Sequence, residues 1–133
     1  MMKPVSTSKA PSPVGHYSQG IVHDGLVYVS GQLPIDPETG EKILGSIEEQ
    51  TDRVLKNMAA VLEAAGSGLN RVIKTTVYVS DIGLWDRINK VYAHHFGDHR
   101  PARSVVPTRS LHYGFLVEIE AIGVVETKGG QNE

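Results

Sequence analysis

No cysteine occurs among the 133 residues. That absence excludes disulfide scaffolding, thiolate metal sites and a cysteine nucleophile, and it suits a reducing compartment. Long apolar runs are missing as well. The N-terminal stretch MMKPVSTSKAPSPVG contains none, which argues against a secretory signal. Nothing elsewhere approaches the roughly 18 apolar residues of a membrane span, so the expected address is cytoplasmic, with no membrane partner. Neither sign of charge dominates. The 13 basic and 15 acidic residues are interspersed, the formal net charge is −2 and the pI is about 6.3. Phosphate-backbone binding draws on clustered Lys and Arg, and this balance gives no reason to expect a nucleic-acid partner. The familiar catalytic and nucleotide-binding signatures are absent too: there is no G-x-x-x-x-G-K-[ST], G-x-G-x-x-G, H-E-x-x-H or G-x-S-x-G. Gly66-Ser67-Gly68 is too short for a phosphate cradle and ends a helical pattern. Of the six histidines, His94 and His95 stand about 100° apart on a helix and His99 lies past the Gly97 stop. None of the six gives two ligands at i, i+4 on one helical face, so no metal is expected.

What is present fits one domain. The length is ordinary for a single hydrophobic core, and the 40% hydrophobic and 21% charged content is that of a globular chain. Residues 1–14, rich in Pro, Ser and Lys, read as an extended arm, and 127–133 as a polar tail. Runs 18–23 and 26–30 are strands joined at Asp24-Gly25, a hairpin turn signal, and PIDPETGEK (34–42) is loop. Ser46 and Glu49 match a capping box ahead of Ile47, Val54, Leu55, Met58, Val61 and Leu62 at helical spacing, with Gly66 as the stop. Arg71–Val79 reads as a strand and about 82–96 as a second helix, with Leu84, Ile88, Val91, Tyr92 and His95 on one stripe. Segments 102–106 and 115–125 complete the strands. The order is β-β-α-β-α-β-β, an α+β pattern in which two helices cover one face of one mixed sheet. Leu26–Val29, Val77–Val79 and Phe115–Val117 are nevertheless apolar on both alternating faces. The uncovered face predicts a homo-oligomer.

Two short stretches offer chemistry. In Arg100-Pro101-Ala102-Arg103-Ser104, Arg103 opens a strand between small residues. A guanidinium there can hold a carboxylate with two parallel bonds, or it can pair with a neighbouring glutamate along a strand edge. In Val117-Glu118-Ile119-Glu120-Ala121, the strand period puts Glu118 and Glu120 on one face. They either meet solvent or, beside an arginine at an interface, hold a water and move a proton.

Five co-linear blocks carry a wider likeness: Gly15-His16-Tyr17-Ser18-Gln19-Gly20, Ser30-Gly31-Gln32-Leu33-Pro34, Lys74–Val79, Arg100–Ser104 and Glu118–Ala121. From about Pro11 to Val125 the chain resembles the RidA (YjgF) family of reactive-intermediate deaminases. The resemblance implies a chorismate-mutase-like fold, a homotrimer with a ligand cleft at each subunit interface, and no metal or cofactor. It further implies hydrolysis of 2-imino acids such as 2-iminobutanoate and 2-iminopropanoate, released by pyridoxal-phosphate-dependent dehydratases, to 2-keto acids and ammonia. By position, Arg103 would hold the substrate carboxylate and Glu118 the attacking water. Tyr17, Ser30, Gly31, Asn89 and Ser104 fall at substrate-binding positions. Two departures stand out. Val105 replaces a cysteine common in the family, and Ser110-Leu111-His112-Tyr113-Gly114 replaces a Leu-Pro-containing loop, bringing a histidine and a tyrosine to the cleft or its flank. A non-catalytic carboxylate-binding trimer is the second reading, and an RNA-cleaving or translation-inhibiting protein the third. Balanced charge weighs against the third.

Overall fold

The structure, a computed structural model, describes residues 1–126; the polar tail 127–133 lies outside the described residues. Six strands form one mixed sheet in the order β1-β2-β3-β6-β4-β5. β1 is Lys3–Val5, β2 Gly20–His23, β3 Leu26–Gln32, β4 Val72–Val79, β5 Ala102–Pro107 and β6 Val117–Val124. Only the β4–β5 pair is parallel. The helices α1 (Ile47–Ala64) and α2 (Trp85–Phe96) lie on one face of the sheet, as expected.

Local chemistry accounts for most boundaries. Asp24 and Gly25 both take positive φ, 51° and 78°, which is the twist that a two-residue hairpin demands. Ser46 caps α1 with both arms of the capping box: its hydroxyl accepts from the Glu49 amide at 3.1 Å, and the Glu49 carboxylate accepts from the Ser46 amide at 2.9 Å. Gly66 and Gly97 follow the helices at φ of 84° and 63°. The first turn of the second helical segment is tighter than expected. Ile82–Leu84 is a 3₁₀ turn capped by Asp81, and the α-helix begins only at Trp85.

The N-terminal arm is extended, as the sequence implies, yet part of it belongs to the sheet. Lys3–Val5 pairs antiparallel with Gly20–Val22. Gln19, buried beneath the following segment, accepts from the Thr7 amide at 2.7 Å and donates to the Thr7 and Pro11 carbonyls at 3.0 and 2.9 Å. A glutamine at the head of a hairpin carries no sequence signal for this role, so the extra strand escapes a pattern search.

Period-2 alternation divides the sheet. Val27, Val29, Val77, Val79, Val117, Ile119 and Ala121 pack under the helices against Val54, Leu55, Met58, Val61 and Leu62. Tyr28 and Ile73 remain 44% and 46% exposed, away from that core. The sheet face turned away from the helices is uncovered among the described residues, and it mixes Tyr28 with Lys74, Glu118 and Glu120, less apolar than the sequence implies. No described helix is long and apolar enough to cross a membrane.

Candidate functional site

The parallel β4–β5 register sets Arg103 beside Thr75, a buried residue that in turn stands opposite Ala121 of the core. Arg103 is thereby turned toward α2. Its Nη1 donates to Asn89 Oδ1 at 2.9 Å, and the guanidinium carbon lies 4.8 Å from the Tyr92 ring centroid and 6.0 Å from that of Trp85. Tyr92 is itself fixed, with its hydroxyl 2.7 Å from Thr75 Oγ1, and burial pushes its pKa up. Trp85, Asn89 and Tyr92 are spaced four and three apart, so one helical face supplies the whole bed for the arginine. Among the described residues no carboxylate pairs with Arg103. Its remaining donors border a cavity of about 520 Å³ that Asn89, His99 and Arg100 also line.

Glu118 stands on the other face. β6 alternates as expected, with Val117, Ile119 and Ala121 inward and Glu118 and Glu120 outward. Glu118 shares a cavity of about 550 Å³ with Tyr17, Ser30, Gly31, His112 and Tyr113, among others. Ser30 is held by two bonds to the preceding strand segment: its hydroxyl donates to the Ser18 carbonyl at 2.6 Å and its amide to the Gln19 carbonyl at 2.9 Å. Between Val29 and Gln32 the β3–β6 register slips. Gly31 sits in that slip, directly over the Glu118 carboxylate. A Cβ there would collide with the carboxylate oxygen and come within 3.0 Å of its carbon. The missing side chain is the space the carboxylate occupies. Burial raises the Glu118 pKa, neighbouring Glu120 adds to the rise, and His112 opposes it. A carboxyl with raised proton affinity in a cavity is suited to taking up and returning a proton.

The sequence-derived residues thus fall into two groups within one chain. Tyr17, Ser30, Gly31 and Glu118 meet at one cavity, and Asn89 and Arg103 meet at the other. Ser104, one residue on from Arg103, points to the opposite face beside Thr76, is exposed, and lines neither cavity. Trp85 joins Arg103 without having stood out in the sequence; its i, i+4 relation to Asn89 is the one local signal of that contact. The histidines scatter: His95 Nε2 meets Asp52 at 2.7 Å and His99 Nε2 meets the Val72 carbonyl at 2.6 Å.

Comparison with known proteins gives a consistent picture. Residues 7–125 match the family described as endoribonuclease L-PSP. A RutC family protein of Pyrococcus abyssi is 48% identical over 122 residues, covering 92% of this chain and 96% of its own. A 2-iminobutanoate/2-iminopropanoate deaminase of Rattus norvegicus is 41% identical over 122 residues, covering 92% of this chain and 89% of its own. The crystal structure of E. coli TdcF with bound serine superposes with a TM-score of 0.88 at 36% identity, covering 93% of this chain and 99% of that one.

Proposed function

The chain belongs to the endoribonuclease L-PSP family, the RidA (YjgF) family that its sequence resembles, and from that premise we propose that it hydrolyses 2-imino acids to 2-keto acids and ammonia. The observation that carries this reading is Arg103: a guanidinium fixed by Asn89 and Tyr92, bordering a cavity, with no carboxylate among the described residues to neutralise it. A substrate carboxylate is the partner such a group lacks.

The chemistry asked of the protein is small. Glu118 takes a proton from water as the oxygen adds to the imine carbon, the nitrogen gains a proton, and a carbinolamine forms. Collapse of that intermediate expels ammonia and leaves the 2-keto acid. Imine hydrolysis is already facile in water, so positioning together with roughly 10²- to 10⁴-fold acid–base assistance suffices. The reading calls on no cofactor. It does call on a second copy of the chain, because Arg103 and Glu118 occupy opposite faces of one sheet; a homotrimer whose interfaces join one copy's Arg103 to the next copy's Glu118 supplies the complete cleft. A cytoplasmic setting, where dehydratases release such imines, accords with the cysteine-free sequence.

The test generates 2-iminobutanoate from threonine with a threonine dehydratase, traps unhydrolysed imine with semicarbazide, and times 2-ketobutyrate formation. The native protein is expected to accelerate the reaction. Two charge-assisted bonds contribute about 1.5–3 kcal/mol each, so Arg103→Ala should lose at least about a hundredfold in kcat/KM. A native protein that forms trimers yet leaves the rate unchanged would defeat the proposal. It would favour the carboxylate-binding reading, which the serine-bound TdcF neighbour also supports.

A further inference from the structure

Tyr113 is one of only two non-glycine residues with positive φ among those described, at φ 57° and ψ 16°. A bulky side chain is disfavoured in this left-handed region, and such outliers concentrate where function holds them in place. The ring is 49% exposed, yet it is braced on several sides. Its centroid lies 5.7 Å from that of buried Phe115 in an edge-on arrangement and 5.6 Å from that of His112, and the Lys42 ammonium sits 4.7 Å from the ring centroid. The chain spends conformational freedom and three neighbours on keeping one aromatic face on the wall of the Glu118 cavity.

That cavity has two characters. Ser30, Glu118 and Glu120 make one side polar, while Tyr113, Tyr17, Leu33 and Val14 offer aromatic and aliphatic surface. In one chain its volume is about 550 Å³, within the range of ligand pockets. A 2-imino acid has three parts. If its carboxylate goes to Arg103 and its imine carbon to Glu118, the remaining side chain must meet the apolar wall. We propose that the His112–Tyr113 corner is the side-chain subsite of the cleft and selects 2-imino acids with a large apolar or aromatic side chain over small ones, an inference that rests on the deaminase reading. The loop that departs from the family pattern is then the part of the protein that chooses the substrate.

The experiment uses the full-length protein with imines made from alanine, leucine and phenylalanine by an L-amino-acid oxidase under semicarbazide competition. Calorimetric titrations with pyruvate and phenylpyruvate accompany it. Apolar contacts of this size change specificity by tenfold or more, so kcat/KM for the phenylalanine-derived imine should exceed that for the alanine-derived one by at least about tenfold. Tyr113→Gly suits a φ of 57° and should keep its melting temperature while the selectivity ratio falls about tenfold; Tyr113→Phe should retain the ratio. Tyr113→Asn, another residue tolerant of this conformation, replaces the glycine variant if that one fails to fold. A native ratio at or below one, or a ratio that survives Tyr113→Gly, overturns the assignment. If no imine is hydrolysed, the deaminase reading falls and calorimetry decides the subsite alone. Tighter binding of phenylpyruvate that is lost in Tyr113→Gly upholds it, and equal affinities overturn it.

Discussion

A methyl group added at Gly31 lands on the Glu118 carboxylate, whose carbon lies only 3.0 Å from the ideal Cβ position. The carboxylate is the far end of a flexible side chain, so it can swing aside and the fold survives. What it loses is its place. Misplacing a catalytic group by about 1 Å can cost about 10²-fold in rate. Gly31→Ala is accordingly expected to lower kcat by about that factor while its thermal unfolding stays within a few degrees of the native protein, a comparison that steady-state kinetics and calorimetry make directly. Arg103 shows the same economy. Its neighbours Asn89 and Tyr92 hold the guanidinium without neutralising it, which is the condition for an arginine to keep its charge for a ligand. Local sequence left open whether Arg103 pairs with a glutamate of its own chain, because a strand residue's partners are set by register and not by nearest neighbours.

At the scale of elements, α1 and α2 are joined by ions as well as by apolar packing. Arg87 makes a two-pronged bond to Glu48 with both distances 2.7 Å, and His95 meets Asp52 at 2.7 Å, with Lys56 also 3.0 Å from Asp52. Glu48 is held at about 2 by the Arg87 hydrogen bond. Burial pushes Asp52 upward, but the bonds to His95 and Lys56 outweigh it and the net shift is downward. Carboxyls whose pKa falls on folding add stability above their unfolded pKa and lose it as pH drops through the folded one. The native protein is therefore expected to lose melting temperature as pH falls from about 5 toward 2. A Glu48→Gln, Asp52→Asn double variant should show a shallower loss, which thermal scans across that pH range test; parallel profiles would remove these pairs from the account. The helices themselves were legible, because the capping box, the 3.6-residue repeat and the terminal glycines are local signals. β1 was not legible: Lys3–Val5 pairs with Gly20–Val22 far along the chain, and Gln19 fastens the segment just beyond β1 at Thr7, twelve residues away.

At the scale of the whole molecule, the proposed reaction requires Arg103 and Glu118 to act together from opposite faces of one sheet. β5 is an edge strand, and the face beside Glu118 carries Tyr28 in the open. A second copy covering that face would bury apolar surface and deliver an arginine in one step. Mixing supplies a clean test. Arg103→Ala and Glu118→Gln chains, each nearly inactive alone, should regain about a quarter of native activity per site when co-folded in equal amounts, since a quarter of randomly assembled interfaces then pair two intact halves. Sizing of the mixture and its rate of 2-ketobutyrate formation give the answer; no regain in a mixed trimer would return both groups to a single subunit.

The sequence alone determined the order of the two helices and of strands β2 to β6, the capped start of α1, and the inward and outward faces of β6, and it singled out Arg103 and Glu118 as candidates, because caps, turns and side-chain alternation are written within a few residues of where they act. Only the tertiary structure decided that the two are separated by the thickness of a sheet, that Ser104 joins neither cavity, that Gly31 is the seat of a carboxylate, and that Tyr113 is braced in a left-handed conformation beside it. Each of those depends on which strands lie side by side and in what register, and register is settled by the burial of the entire core and not by any stretch of chain read by itself.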